Sequence, residues 1–146
     1  MATSQEANDL YAKYGYACHQ AHVFETEISN IYVMFCYLTD KKNARAKGNN
    51  IDNLRKATIG RALEEIGKAI DSKASLDVLF NDGLSARNYL IHNFFIDFND
   101  FSDGSDQLIN GSNKLSELIS ILENATSTSS SISEKYLEKA SPGWKT

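Results

Sequence analysis

The feature that most constrains the fold is an apolar stripe in the first third of the chain. From residue 10 to residue 38, apolar side chains recur at alternating steps of four and three residues, which places them on one face of a helix of about eight turns. The only proline is Pro142, so the first 141 residues lack the residue that most strongly breaks helices. The sequence therefore predicts long helices. The stripe consists of Leu10, Tyr14, Ala17, Ala21, Phe24, Ile28, Ile31, Phe35 and Leu38.

Three further apolar stripes follow, and they predict an all-α, antiparallel up-and-down four-helix bundle. Arg87 lies in the middle of the third stripe. Burying its charge there costs free energy unless the guanidinium contacts a partner or a water-filled cleft. The second stripe comprises Leu54, Ile59, Leu63, Ile66 and Ile70. The third, on a helix from about residue 76 to 98, comprises Leu76, Phe80, Gly83, Leu90, Ile91, Phe94 and Phe98. The fourth comprises Leu108, Leu115, Leu118, Leu122 and Ala125.

The C-terminal part of the chain differs in composition from the rest. Residues 126–131 are all serine or threonine, and they predict a flexible tether. Residues 132–140 predict a short amphipathic helix, followed by a frayed end. We therefore expect residues 1–125 to form the bundle and residues 126–146 to form a Ser-rich tether with a flexible C-terminal segment.

Composition and charge exclude several classes of protein. Two cysteines, Cys18 and Cys36, are too few for a disulfide framework and predict reduced, buried side chains. There is no apolar run of roughly 18–20 residues for a membrane span and no secretion signal at the N-terminus, so we expect a cytoplasmic protein without a membrane partner. A net charge of −4 disfavours nucleic-acid binding over the whole surface.

Two segments resemble metal sites only superficially. His19 and His22 share a helix face beside Cys18, but no further ligands complete the three or four that zinc requires. The acidic stretch 97–104 places Phe101 where a calcium loop needs a ligand. We therefore expect no metal and no cofactor.

Arg87, Asn88 and His92 are the candidate catalytic residues. Arginine binds phosphate through a planar fork of donors, and histidine transfers protons near neutral pH. Arg87 and His92 are about 140° apart around an ideal helix and about 7.5 Å apart along it, so two copies related by a two-fold axis would surround one phosphate more readily than one. The alternative is a core arginine paired with an acid such as Glu64 or Glu65, with His92 merely exposed.

The segment 86–95, Ala-Arg-Asn-Tyr-Leu-Ile-His-Asn-Phe-Phe, resembles the signature of the HEPN superfamily (higher eukaryotes and prokaryotes nucleotide-binding domains). That signature is an arginine, a polar residue that is often asparagine, three more residues and a histidine, on the third helix of a four-helix bundle. The resemblance in architecture covers roughly residues 5–125.

The resemblance implies a metal-independent endoribonuclease that acts as a homodimer. The ribose 2′-hydroxyl would attack the adjacent phosphate and leave a 2′,3′-cyclic phosphate. His92 would transfer protons, Arg87 would stabilise the transition state, and Asn88 would orient His92 or bind the phosphate. We further expect RNA backbone contacts from a basic segment, although a solvated surface is the alternative for these residues. They are Lys41, Lys42, Arg45, Lys47, Arg55 and Arg61.

The biological setting that the resemblance implies is a toxin–antitoxin or phage-defence system, with an antitoxin or regulatory protein as a possible partner. One toxin subset carries a tyrosine two residues after the histidine, which a nucleotidyltransferase antitoxin modifies. This chain has Phe94 there, so that form of control does not carry over. Other superfamily members are noncatalytic, and the alternative function is therefore a dimeric RNA- or protein-binding module.

Overall fold

The computed structural model describes residues 4–39 and 74–144, which form four helices and no strand. Helix α1 spans Gln5–Thr39, α2 spans Ala74–His92, α3 is a single turn at Phe94–Asp97, and α4 spans Asp106–Trp144. The prediction of an all-α helical bundle is confirmed. None of these helices has the length and apolar character that crossing a membrane requires. The second predicted helix, around residues 54–70, lies outside the described residues.

A serine side chain caps the N-terminus of each long helix. Ser4 Oγ accepts a hydrogen bond from the backbone N–H of Ala7 at 3.1 Å, and Ser105 Oγ accepts one from that of Leu108 at 3.1 Å. Each serine thus satisfies one of the N–H groups that the first helical turn leaves without an intrahelical partner.

The core is built on a long seam between α1 and α4. The apolar stripe expected on the first helix is buried from residue 10 to residue 31, apart from the partly buried Tyr14. The buried residues of α4 recur at the same alternating steps of three and four, as the knobs of a coiled coil do. They are Leu108, Gly111, Leu115, Leu118, Leu122, Ala125 and Ser129.

Helices α1 and α4 run parallel to each other. Lys13 Nζ donates a hydrogen bond to Ser112 Oγ at 3.1 Å, and Tyr16 Oη, further along α1, donates one to Glu123 Oε1 at 2.8 Å, further along α4. In a strictly alternating four-helix bundle the first and last helices are antiparallel. The observed direction differs from that expectation because α1 ends and α2 begins at the same end of the bundle.

Helix α2 packs antiparallel against both long helices. Near the start of α1, Tyr14 Oη donates to the backbone carbonyl of Leu90, late in α2, at 3.1 Å. Burial and the neighbouring Cys18 raise the pKa of Tyr14 to about 12, so this phenol keeps its proton. Further along α1, Phe24 lies against Gly83, where an added Cβ would be only 2.8 Å from the ring and 2.9 Å from the Cβ of Ala125 on α4. Gly83 therefore lies where the three helices approach each other too closely to admit a Cβ atom.

The third predicted helix ends earlier than expected. It was predicted to continue to Phe98, but the chain turns at Asn93, whose φ of −122° is not helical, and resumes as α3. The turn places the ring of Phe94 in the core, with its centroid 5.5 Å from that of Tyr14 and 5.2 Å from that of Phe98. Ile91, expected in the buried stripe, is instead 47% exposed.

The Ser/Thr-rich segment is not a tether. Residues 126–131 continue α4 without a break. Ser129 falls on the buried stripe, and its hydroxyl donates to the carbonyl of Ala125, one turn earlier, at 2.7 Å. A hydroxyl that bonds to its own helix can be buried without an unpaired polar group, so a polar sequence continues an apolar seam. The short separate helix expected over residues 132–140 is likewise part of α4.

Replacing Gly83 with alanine should destabilise the fold. The new methyl group would force Phe24 and Ala125 apart, which costs about 1–3 kcal/mol and outweighs the gain of up to about 1 kcal/mol in helix propensity. Gly15→Ala is the matched control, since a Cβ at Gly15 meets nothing within 4 Å and should stabilise α1. Urea unfolding, monitored by circular dichroism, measures the free energy of unfolding of both variants. A Gly83→Ala variant as stable as Gly15→Ala would contradict the close approach.

Replacing Ser127 with proline tests the continuity of α4. Ser127 is exposed within the helix, so proline there removes a backbone hydrogen bond and should cost about 3 kcal/mol in the free energy of unfolding. Ser127→Ala, which suits a helix, should be neutral or slightly stabilising. If the two variants have the same midpoint of thermal unfolding, residues 126–131 do not contribute a structural helix.

Candidate functional site

Arg87 is held by an acid from the neighbouring helix. Its Nε donates to Oε1 of Glu25 on α1, and the two side chains remain 27% and 30% exposed, respectively. Arg87 therefore lies at the edge of the interface between α1 and α2 and not in the middle of the buried stripe, where Ala86 is buried instead. A charge at this edge is reached by solvent and avoids most of the desolvation cost that a core arginine would incur.

Asn88 is bonded to Arg87. The Oδ1 atom of Asn88 accepts a hydrogen bond from Nη1 of Arg87 at 2.9 Å, and the asparagine is otherwise exposed. Among the described residues, a carboxylate and an amide each use one of the five guanidinium donors. The polar position of the motif orients the arginine in this structure, whereas the sequence suggested that it would orient His92 or bind phosphate.

His92 is the last residue of α2 and is exposed. Arg87 faces α1, and five residues of helix place His92 roughly 140° around the axis from it. Within one chain, therefore, these two motif residues face different directions, as their spacing predicted. The structure brings together Arg87 and Asn88, and it leaves His92 apart from them.

An exposed apolar surface adjoins His92 along the chain. Ile91, Phe95 and Ile96 are 47%, 42% and 69% exposed, respectively, and they flank the histidine across the turn between α2 and α3. The ring of Phe95 continues toward α1, with its centroid 6.4 Å from that of the exposed Tyr11. Large apolar side chains clustered at the surface are typical of sites that another molecule covers.

A groove lies along α1 at Glu25, the residue that holds Arg87. It has a volume of about 380 Å³, and Glu25 forms part of its wall. His22, one turn before Glu25, lines the same groove. The other lining side chains that the structure describes carry hydroxyl or amide groups. They are Thr26, Ser29 and Asn30.

The sequence did not identify Glu25 as the partner of Arg87. Glu64 and Glu65, the acids considered for that role, lie outside the described residues, as do all six basic residues expected to contact RNA. The signal that could have identified Glu25 is its position directly after the buried Phe24. Residues that flank a heptad stripe commonly form salt bridges to the neighbouring helix.

The residues considered for metal binding do not form a cluster. Among the side chains that the structure describes, no group of three or more His, Cys, Asp or Glu residues is arranged to hold a metal ion. In the acidic stretch, Asp100 instead stabilises its own turn, because its Oδ1 atom accepts hydrogen bonds from the backbone N–H and the hydroxyl of Ser102 at 3.2 and 2.7 Å. These bonds hold the pKa of Asp100 below its usual value.

The Arg87–Glu25 pair should contribute little to stability, because both side chains are partly solvated. In a double-mutant cycle of Arg87→Gln and Glu25→Gln, we expect a coupling free energy of about 0.2–1 kcal/mol from urea unfolding. The matched control is the Lys114–Glu117 pair within α4, 3.7 Å apart, for which we expect a coupling at the lower end of the same range. A coupling above about 3 kcal/mol for Arg87 and Glu25 would instead indicate a buried structural pair.

Comparisons with known proteins identify no relative of this chain. No protein-family model matches the chain, and searches of curated proteins and of solved structures find no match. The resemblance to the HEPN superfamily stays a prediction that depends on the motif in residues 86–95.

Proposed function

We propose that this chain is a metal-independent endoribonuclease of the HEPN type. The observation that carries the proposal is the arrangement on α2: a solvent-accessible Arg87, oriented by Glu25 and Asn88, and an exposed His92 one and a half turns later. A cation with directed donors and a histidine that solvent reaches are the two groups that phosphodiester cleavage by the 2′-hydroxyl requires.

In the proposed reaction, the ribose 2′-oxygen forms a bond to phosphorus while the bond from phosphorus to the 5′-oxygen breaks. One group must accept the proton of the 2′-hydroxyl, and another must give a proton to the leaving 5′-oxygen. His92 serves one of these roles. Arg87 binds the non-bridging phosphate oxygens and stabilises their growing negative charge with the donors that Glu25 and Asn88 do not use.

The proposed active form is a homodimer. Because Arg87 and His92 of one chain face different directions, a second chain is needed to bring His92 of one chain to Arg87 of the other. The surface around His92 suits such a contact, since Ile91, Phe95 and Ile96 would otherwise leave apolar area in water. A two-fold axis at the edge of this surface would place His92 of each chain toward Arg87 of the other.

The proposed setting is cytoplasmic, in a toxin–antitoxin or phage-defence system with an antitoxin or regulatory partner. Control of the modified-tyrosine type does not apply. The side chain two residues after His92 is Phe94, which has no hydroxyl and is fully buried.

The second candidate function is a noncatalytic RNA- or protein-binding module built on the same bundle. The observation that favours it is the Arg87–Glu25 ion pair, because the carboxylate neutralises the charge that would otherwise attract phosphate. In this function Arg87 positions α2 against α1, and the apolar surface around His92 is the contact surface.

The decisive experiment measures RNA cleavage by the purified protein in EDTA. We expect products with 2′,3′-cyclic phosphate ends, and rates lowered about 10²–10⁴-fold in Arg87→Ala and His92→Ala, since each removes a group that acts in the transition state. Lys114→Gln is the control: it removes a cation whose Nζ lies 4.9 Å from the centre of the Tyr89 ring, and it should cleave like the wild type.

The same experiment separates the two candidates. If a folded wild-type protein leaves varied RNAs intact, the endoribonuclease proposal is wrong and the binding module is favoured. If cleavage persists in both Arg87→Ala and His92→Ala, the active site lies elsewhere in the chain.

A further inference from the structure

Cleavage of RNA by the 2′-hydroxyl needs two proton transfers, and within one chain the motif histidine, His92, faces away from Arg87. The chain has two other histidines, His19 and His22, both on α1. Their positions relative to Arg87 decide whether either can serve the same phosphate.

His22 lies on α1 one turn before Glu25, the residue through which α1 contacts Arg87 of α2. The two helices are antiparallel, and two contacts fix their register at this height: Glu25 binds Arg87, and Phe24 packs against Gly83. His22 is three residues before Glu25 and therefore on the same face of α1, where Cβ atoms are about 5–6 Å apart. A phosphate bound by Arg87 on the side of α1 would lie next to this face.

The groove beside the ion pair gives His22 access to a ligand. His22 is exposed and shares the groove wall with Glu25, so the carboxylate that holds Arg87 also borders the space in front of the imidazole. The groove is lined by groups that hydrogen-bond, and no apolar side chain is among its described lining residues. Such groups can form hydrogen bonds to a sugar-phosphate backbone.

We propose that His22 is a second proton-transfer residue of the site and acts with Arg87 of the same chain. The inference rests on the proposed endoribonuclease function and adds a catalytic residue to it. When the 2′-oxygen bonds to phosphorus, one of His22 and His92 accepts its proton. When the bond to the 5′-oxygen breaks, the other histidine donates a proton to that oxygen. One imidazole gains the proton that the other loses, so the reaction needs no further reactant.

His22→Gln tests this role, because glutamine keeps a polar side chain but cannot transfer a proton near neutral pH. We expect RNA cleavage to fall about 10²-fold or more. His19→Gln is the matched control: His19 is also exposed on α1, one turn earlier, but is not among the groove residues, so its rate should stay within about twofold of the wild type. Wild-type cleavage by His22→Gln would overturn the proposal.

A rescue experiment distinguishes proton transfer from a structural role. In His22→Ala, free imidazole should restore part of the lost rate in proportion to its concentration, because it can enter the open groove and transfer the proton. A purely structural contribution from the side chain would not be restored by a small base in solution. A variant that is inactive and insensitive to imidazole would overturn the proposal.

A binding measurement separates the failure of this inference from the failure of the proposed function. A 2′-O-methyl hexanucleotide cannot be cleaved by this route, so its effect on the histidine NMR resonances does not depend on catalysis. We expect it to shift the resonance of His22 but not that of His19, and Arg87→Gln should abolish the shift. An unshifted His22 overturns the inference. A shifted His22 in a protein that cleaves no RNA overturns both catalytic proposals and leaves an RNA-binding site.

Discussion

The parallel seam between α1 and α4 is the interaction on which the rest of the structure depends. Both helices bury side chains at alternating steps of three and four residues. The two stripes pack against each other, beginning at Leu10 on α1 and reaching the Ser/Thr-rich part of α4. Hydrogen bonds at the seam's edges, such as Lys13 to Ser112, fix which residues lie opposite each other. Because the buried residues of α1 from Leu10 to Ile31 pack along α4, the seam provides the surface on which α2 lies.

The candidate site is a consequence of how α2 lies on that seam. Gly83 allows α2 to approach both long helices at once, and this close approach brings Arg87 within reach of Glu25. At the other end of α2, the turn at Asn93 directs the ring of Phe94 into the core. The same turn leaves the apolar side chains around His92 at the surface. Close packing at two points of one helix thus separates a polar region from an apolar one.

This separation bears directly on the proposed chemistry. A phosphodiester needs the arginine and two proton-transfer groups on the same phosphate. Within a chain, Arg87 is held by Glu25, which lines the same groove as His22, whereas His92 lies next to exposed apolar side chains suited to a second copy. The proposed dimer and the proposed role of His22 therefore address the same geometric problem, which is how a helix that points its arginine and its histidine in different directions could serve one reaction.

The sequence by itself determined the helices with regular stripes: the stripe of α1, the five apolar residues of α4 and the difference in direction between Arg87 and His92. Each follows from helical periodicity, which is local. The tertiary structure decided the rest. Ser129 keeps the spacing of the α4 stripe, but its burial as a polar residue depends on the packing of α4 against the other helices. The parallel direction of α1 and α4 and the pairing of Glu25 with Arg87 depend on contacts between residues distant in the chain, for which spacing within one segment carries no signal.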